Sequence, residues 1–153
     1  MIFISHRGNL EGPNPDRENT IESIENCLMN GFDVEVDIWF ENNSFYLGHD
    51  KPNLKLNLDL FKNDRIWFHI KNIKSLEEIS RYSPSNFFWH QSDKCTLTSS
   101  KKIWLYPNHY INSPDAIFVL PELSENKLEC KKYKCYGICT DFIKFYYEKY
   151  NDI

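Results

Sequence analysis

The segment Val34-Glu35-Val36-Asp37-Ile38 constrains the fold most strongly, because apolar and acidic residues alternate along it. A period of two is typical of a β-strand, whose successive side chains point to opposite faces of a sheet. Val34, Val36 and Ile38 therefore predict a buried face, and both carboxylates lie on the other face. Their Cβ atoms should lie roughly 7 Å apart, so the two charges repel one another unless water or a cation separates them.

The chain just before this strand has a helical period. Ile21, Ile24 and Leu28 fall on one helical face, Asn19 is a suitable N-cap, and Gly31 suits the C-terminal end. Similar patterns predict strands at residues 2–5, 45–47, 66–71, 87–90, 103–106, 116–120 and 136–140, and helices at 75–82 and 142–150. The polar stretch 91–102 predicts a loop or a small hairpin.

Residues 1–153 are expected to form a single domain, because the length suits one hydrophobic core and no linker or repeat divides the chain. Alternating strands and helices predict an α/β fold. After Pro84 several connections are too short for complete crossover helices, so the expected fold is a reduced TIM-type (β/α) barrel with several outer helices shortened or missing. An open, doubly wound sheet is the alternative, although no glycine-rich phosphate loop follows the first strand.

Composition excludes several classes of protein. The net charge of −4 argues against a general nucleic-acid binder, and no stretch approaches the roughly 20 apolar residues of a transmembrane helix. The first residues show no secretory leader, which makes a cytoplasmic location the expectation. The five cysteines form no CxxC pair, so reduced thiols that pack in the core are favoured over a zinc site at Cys130, Cys135 and Cys139.

Polar side chains share one face on two of the predicted strands. Glu35 and Asp37 offer oxygen ligands that suit Mg²⁺ or Ca²⁺. His69 and Lys71 repeat the spacing, so the imidazole could complete a metal site or bind a ligand, and the ammonium group could hold a phosphate oxygen. The alternatives are an edge strand whose carboxylates face solvent, a structural His69 and a solvated Lys71.

His6 and His49 form a second pair of candidates. Two imidazoles that face one phosphorus atom can act as opposed base and acid, as cleavage of a phosphodiester requires. Arg7 could grip the phosphate with two hydrogen bonds, or could turn toward a carboxylate partner. Gly48-His49-Asp50 could also be an ordinary turn.

Five short motifs together resemble the glycerophosphodiester phosphodiesterase family in order and approximate spacing. They are His6-Arg7-Gly8, Glu18-Asn19-Thr20, Glu35-x-Asp37, Gly48-His49-Asp50 and Thr140-Asp141. The resemblance spans residues 6 to 141 and so covers most of the chain. It implies a TIM barrel of the phospholipase C-like phosphodiesterase superfamily and a role in lipid metabolism. It also implies that His6 and His49 are the catalytic acid and base.

The resemblance further implies that Glu35 and Asp37 bind the divalent cation and that Lys71 contacts the phosphate. The family usually has a third metal-binding carboxylate where this chain has His69. A nitrogen ligand at that position adds Mn²⁺ and Zn²⁺ to Mg²⁺ and Ca²⁺ as candidate metals. The chain is also shorter than the roughly 250 residues of a typical barrel, so outer helices and loops must be missing.

Two later strand ends add candidate substrate contacts. His90 ends the strand 87–90 and Glu122 follows the strand 116–120, so both are expected at the mouth of the site. Trp89 and Trp104 are either core residues or aromatics of the rim.

These features predict an enzyme, a metal-dependent phosphodiesterase that cleaves a small glycerophosphodiester-like substrate with His6 and His49 as its acid–base pair. The nucleophile would be water or a hydroxyl of the substrate itself. One alternative is a non-catalytic phosphate or sugar-phosphate binding protein on a degenerate barrel; others are a monoester phosphatase and a structural subunit. The expected partner is a small molecule, with a homodimer as one way to cover exposed strands.

Overall fold

The structure is a computed structural model that describes residues 1–124 and 130–151. Its strands are β1 (Ile2–His6), β2 (Asp33–Glu41), β3 (Ser44–Leu47), β4 (Leu54–Lys55), β5 (Ile66–Ile70), β6 (Asn86–Trp89), β7 (Cys95–Leu97), β8 (Ile103–Leu105), β9 (Ala116–Val119) and β10 (Gly137–Thr140). The α-helices of the described part are α1 (Ile21–Met29), α2 (Ile73–Tyr82) and α3 (Ile143–Asn151). The predicted helices and strands are confirmed to within a few residues.

The strands form one mixed sheet that curves into a half-barrel. Its parallel part has the order β6-β5-β2-β1-β10-β9-β8. The long strand β2 extends beyond β1, and there its second half pairs with β3 in an antiparallel hairpin that β4 continues. At the other edge β7 pairs antiparallel with β8, so the stretch 91–102 does contribute to a small hairpin.

The expected reduced TIM-type barrel is therefore wrong. Helices follow β1, β5 and β10, but a hairpin leads from β6 to β8, and residues 106–115 connect β8 to β9 without a helix. Parallel strands need a connection of about a dozen residues or more to carry a helix across the sheet, and the chain after Pro84 is too short for several of these. The two antiparallel hairpins also make the sheet mixed.

The two faces of the sheet bury different side chains. On the outer face, Val34, Val36 and Ile38 pack with Ile24 of α1 and with Ile79 of α2, as the alternation in β2 predicted. The inner face holds a second apolar cluster, which consists of Ile4, Trp67, Phe88, Trp104, Ile117 and Cys139. Because side chains alternate along a strand, Glu35 and Asp37 lie on this inner face.

The N-terminus of α1 differs from the prediction. Thr20, rather than Asn19, is the N-cap, and its side-chain oxygen accepts a hydrogen bond from the N–H of Ser23. Asn19 instead adopts a left-handed backbone conformation with φ of 55°. Asparagine tolerates this conformation better than most residues, and its side chain is thereby free to reach the site described below.

All five cysteines are free thiols. Cys27, Cys130 and Cys139 are buried, as expected for thiols that pack in the core. Among the described residues, none of the helices has the length and apolar character that a membrane span requires.

Candidate active site

The parallel register brings polar residues of three strands together on the inner face. His6 of β1 lies beside Glu35 of β2, and Asp37 lies beside His69 of β5. Lys71 follows directly after β5. Because the strands are parallel, their carboxyl ends meet at one edge of the sheet, and these residues face a common space there.

A cavity of about 410 Å³ occupies this end of the half-barrel. The predicted site residues that line it are His6, Arg7, Glu35, His49, His69, Lys71 and His90. Asp37 lies just beneath them, where its side chain is almost fully buried. Glu122, like Asp37, is a predicted site residue that does not line the cavity.

Asp37 is surrounded by cationic groups. Its Oδ1 lies 3.0 Å from Nδ1 of His69 and 3.4 Å from Nζ of Lys71. Its Oδ2 lies 3.2 Å from Nε of Arg7 and accepts a hydrogen bond of 3.0 Å from the Asn19 side chain. Asn19 also accepts a bond of 2.8 Å from the backbone N–H of Asp37. Asp37 is therefore held at both its backbone and its carboxylate.

These contacts change the protonation of both partners. Burial alone would raise the pKa of the Asp37 carboxyl, but the contact with His69 and the charges of Lys71 and Arg7 outweigh it and hold the pKa well below its ordinary value. Burial would likewise lower the pKa of His69, yet its contacts with Asp37 and Glu35 raise it to about 9. His69 is thus an imidazolium at neutral pH when no metal is bound.

Glu35, Asp37 and His69 fit a metal site. Each offers a ligand atom, and these atoms all lie within 4.8 Å of one another. Asp37 Oδ1 accepts no well-oriented hydrogen bond from any residue in 1–124 or 130–151, although it is buried. The other ring nitrogen of His69, Nε2, donates to the backbone carbonyl of His90 at 2.8 Å. This bond directs Nδ1 toward the two carboxylates, as in the outer-shell support of metal-bound histidines.

His6 is oriented by a carboxylate. Its Nδ1 donates to Oδ1 of Asp141 at 2.8 Å, and the side chain of Asn9 donates to the same oxygen at 2.8 Å. Burial alone would lower the pKa of His6, but the bond to Asp141 and the charge of Glu35 raise it. Nε2 of His6 has no hydrogen-bond partner within the described part of the chain, so it is available to a ligand.

His49 is arranged in the same way but is more exposed. Its Nδ1 donates to Oδ1 of Asp50 at 2.7 Å, and its side chain is 39% exposed. Gly48, just before it, has φ of 146°, and a Cβ added there would lie 2.1 Å from the carbonyl oxygen of Lys51. Only glycine therefore fits the turn that presents His49 to the cavity.

Arg7 is tied to the acidic residues around it. Its Nη1 lies 3.2 Å from Oε2 of Glu18, and its backbone N–H donates to Oε2 of Glu35 at 3.2 Å. With its contact to Asp37, the guanidinium turns toward carboxylate partners, which was one of its two predicted orientations. Arg7 still lines the cavity, so it contributes positive charge to that wall.

His90 lacks partners for its side chain. The residue is 9% exposed, and neither ring nitrogen has a hydrogen-bond partner among residues 1–124 and 130–151. The nearest carboxylate oxygen, Oδ2 of Asp93, lies 3.7 Å from Nδ1. Burial and the positive charges of His69 and Lys71 lower the pKa of His90, which is therefore neutral at pH 7.

Glu122 supports the site from outside the cavity. Its carboxylate accepts hydrogen bonds of 2.9 Å from the Thr140 hydroxyl and from the backbone N–H of Asp141. It thereby fixes the residue that orients His6. Glu122 is a positioning residue in this geometry rather than a substrate contact.

Three residues of the site were missed as functional candidates: Asp141, Asn19 and Glu18. Each orients a predicted site residue, namely His6, Asp37 and Arg7 respectively. A signal for all three was present, because they belong to the motifs Thr140-Asp141 and Glu18-Asn19-Thr20 that carry the family resemblance.

The far wall of the cavity is apolar. It consists of Trp104, Tyr106, Pro107, Val119, Leu120 and Leu123. Trp104 is buried, with its ring stacked on Phe88 at a centroid distance of 4.3 Å, so it belongs to the core and to the wall at once. Trp89 packs against the outer cluster, which confirms the core interpretation for that residue.

Comparison with known proteins adds no identification: no family model, no curated protein and no solved structure matches this chain.

Proposed function

We propose that the chain is a metal-dependent phosphodiesterase that hydrolyses, or cyclises, a small phosphodiester with His6 and His49 as its acid–base pair. The observation that carries the proposal is that both imidazoles line one cavity and each has its Nδ1 bound to a carboxylate. Such a bond fixes the tautomer and leaves Nε2 for proton transfer. The motif resemblance to glycerophosphodiester phosphodiesterases supports the same function.

The wall beside the histidines carries the charge that a phosphate needs. Lys71 and Arg7 supply two permanent positive charges, and both line the cavity. Charged donors that are fixed in place stabilise the extra negative charge of a phosphorus transition state. A divalent cation on Glu35, Asp37 and His69 would further neutralise the phosphate and lower the pKa of the attacking hydroxyl.

The reaction conserves protons. An oxygen of water, or of a hydroxyl within the substrate, forms a new bond to phosphorus while the bond from phosphorus to one alcohol oxygen breaks. One imidazole takes the proton of the nucleophile, and the other gives a proton to the departing oxygen. Both imidazoles line the cavity with Nδ1 bound to a carboxylate, which leaves Nε2 for proton transfer, so His6 and His49 can each take either role.

One observation favours a second function. Asp37 already contacts Arg7, His69 and Lys71, so the positive charges balance its carboxylate without a metal. A protein that only binds a phosphate or a sugar phosphate needs no more than this cationic wall. Turnover distinguishes the two functions.

The test is hydrolysis of bis(p-nitrophenyl) phosphate and glycerophosphocholine, with Mn²⁺, Mg²⁺ or Ca²⁺ added after chelation. We expect metal-dependent release of the alcohol, and a loss of about 100-fold or more in kcat for the variant His6→Ala. His109→Ala is the matched control, because the His109 ring bonds to the carbonyl oxygen of Pro107 in a loop and does not line the cavity. Binding of phosphate without turnover of either substrate under any of these metals would favour the second function.

A further inference from the structure

The cavity has two chemically different walls. Residues after β1, β2 and β5 form a charged wall that suits a phosphate, as described above. Residues at the ends of β8 and β9 form the opposite wall, whose members in the described part of the chain are apolar or aromatic and carry no charge: Trp104, Tyr106, Pro107, Val119, Leu120 and Leu123. A phosphodiester with two polar alcohols would leave this second wall without a complementary group.

Part of the apolar wall lies open to water. Leu123 is 60% exposed and Tyr106 is 45% exposed, although both line the cavity. Covering these side chains with an apolar group would remove apolar surface from water, which is favourable. The buried indole of Trp104 extends the same surface toward the floor of the cavity.

Two backbone hydrogen bonds hold Leu120 of this wall in a strained conformation. Leu120 has φ of 47° and ψ of 55°, a left-handed conformation that is costly for a residue with a branched side chain. Its N–H donates to the carbonyl oxygen of Cys139 at 2.7 Å, and its own carbonyl accepts from the N–H of Leu123. Strained residues of this kind occur preferentially at ligand sites, and here the conformation puts both leucines on the cavity wall.

His90 lies where the two walls meet. Its ring is 5.3 Å from that of Tyr106 and 6.4 Å from that of His69, measured between centroids. It is nine-tenths buried and lines the cavity, and neither ring nitrogen has a hydrogen-bond partner among the described residues. A buried polar group without a partner is costly, so a polar atom of the ligand is expected beside it.

From these observations we infer that the substrate is a phosphodiester in which one alcohol substituent is apolar, an alkyl chain or an aromatic ring that lies against Trp104, Tyr106, Leu120 and Leu123. His90 then bonds a polar atom at the junction of the phosphate and the apolar substituent. The inference rests on the proposed function, because it names the substrate class of that same site. It also shifts the expectation away from glycerophosphodiesters, whose glycerol is polar.

The test compares two substrates with the same headgroup, glycerophosphocholine and hexylphosphocholine. Hydrolysis is followed by ³¹P NMR for the wild type and for Leu123→Ser and Leu97→Ser. Leu97 is the matched control, because it is 65% exposed on β7 and does not line the cavity. We expect hexylphosphocholine to have the higher kcat/KM by about tenfold or more. Leu123→Ser should remove most of that preference, and Leu97→Ser should keep it.

Binding is measured separately from turnover, by calorimetry on the His6→Ala protein with Mn²⁺. Tighter binding of hexylphosphocholine than of glycerophosphocholine supports the inference, and equal binding or none overturns it. Hydrolysis of both compounds at equal kcat/KM also overturns it while the proposed function survives. If neither compound is hydrolysed but hexylphosphocholine binds more tightly, the proposed function fails and the apolar subsite stands.

A separate arm of the experiment asks whether the apolar substrate is a free amphiphile or a membrane lipid. Lysophosphatidylcholine is offered as a monomer below its micellar concentration and, at the same total amount, within phosphatidylcholine vesicles. Faster hydrolysis of the monomer supports a free amphiphile as the substrate, and faster hydrolysis of the vesicle form supports a membrane lipid. Cleavage of neither form, together with cleavage of glycerophosphocholine, overturns the inference.

Discussion

The charged wall and the apolar wall of the cavity are built in different ways. On the charged wall the functional side chains are held by hydrogen bonds and ion pairs, and Asp37 alone contacts His69, Lys71, Arg7 and Asn19. On the apolar wall the side chains are held by packing and by the backbone hydrogen bonds that fix Leu120 in its left-handed conformation. The charged wall is therefore preorganised for one arrangement of charge, whereas the apolar wall offers a surface for packing.

The walls also come from different parts of the chain. The charged wall uses β1, β2 and β5. Helix α1 connects β1 to β2 and α2 connects β5 to β6, whereas β3, β4 and a short 3-10 helix lie between β2 and β5. The apolar wall uses β8 and β9, where a hairpin and short turns replace helices. Within this fold, the charged wall lies on strands that are followed by α-helices or by the β3–β4 hairpin, and the apolar wall lies on the part with short connections.

The largest expected effect is on stability, for the variant Asp37→Asn. It removes the buried charge that balances three cations: Lys71 loses the carboxylate it contacts, and Arg7 and His69 keep only their contacts with Glu18 and Glu35 respectively. We expect a loss of about 3 kcal/mol in the free energy of unfolding, measured by urea denaturation with a chelator present.

Asp59→Asn is its control, since Asp59 pairs with Lys62 on the exposed surface. Its cost should stay below about 0.5 kcal/mol. Equal costs for the two variants would show that the charged wall is no better organised than the surface.

A second prediction concerns the affinity for metal. Glu35→Gln keeps the size of the side chain and its contact with the Arg7 N–H but removes one anionic ligand. We expect the affinity for Mn²⁺ to fall by about 50-fold or more in a calorimetric titration. Glu41→Gln, at the exposed end of the same strand, should leave the affinity unchanged. An affinity of Glu35→Gln for Mn²⁺ equal to that of the wild type would show that the cation binds elsewhere.

A third prediction concerns pH. The pKa of His69 rises from an ordinary 6.5 to about 9 in the folded protein. Its contribution to stability is therefore fully present below pH 6.5 and is lost as the pH rises toward 9. In a chelator, the free energy of unfolding should fall by about 1–3 kcal/mol between pH 6 and pH 9.5. In the variant His69→Gln, the free energy of unfolding should lack the part of this decrease that His69 causes. An identical dependence on pH in both proteins would refute the raised pKa of His69.

The smallest effect is expected on the apolar wall. Leu120→Gly relieves the left-handed backbone but loses the packing of the side chain. These effects oppose one another, so the free energy of unfolding should change by less than about 1 kcal/mol. Val119→Gly, one residue earlier in β9, has no strain to relieve and should cost more. A larger loss for Leu120→Gly than for Val119→Gly would mean that Leu120 is an ordinary core residue.

Much of the charged wall could be predicted from sequence because its residues follow local rules. Alternation in β2 put Glu35 and Asp37 on one face, and the same period put His69 and Lys71 together. Short motifs added His6 and His49. Local patterns do not give the register between distant strands. That register brings Asp141 within hydrogen-bond distance of His6, and it places the Asn19 side chain against Asp37 instead of at the helix N-cap.

The fold was predictable to the level of strands and helices but not to their assembly. The weak helical signal after Pro84 predicts a trimmed barrel, but the short connections there produce a hairpin and a half-barrel. The sequence does not predict the apolar wall as one surface, because that surface depends on how the strands after Pro84 assemble. Leu120 and Leu123 look like core residues until the order of β8, β9 and β10 places them beside Tyr106.

The most direct test of the account is a crystal structure of the protein soaked with Mn²⁺ and inorganic phosphate, with anomalous scattering used to locate the metal. We expect one Mn²⁺ bound by Glu35, Asp37 and His69, and a phosphate between it and the imidazoles of His6 and His49, within reach of Lys71. Manganese bound away from the two carboxylates, or a phosphate out of contact with both imidazoles, would contradict the account.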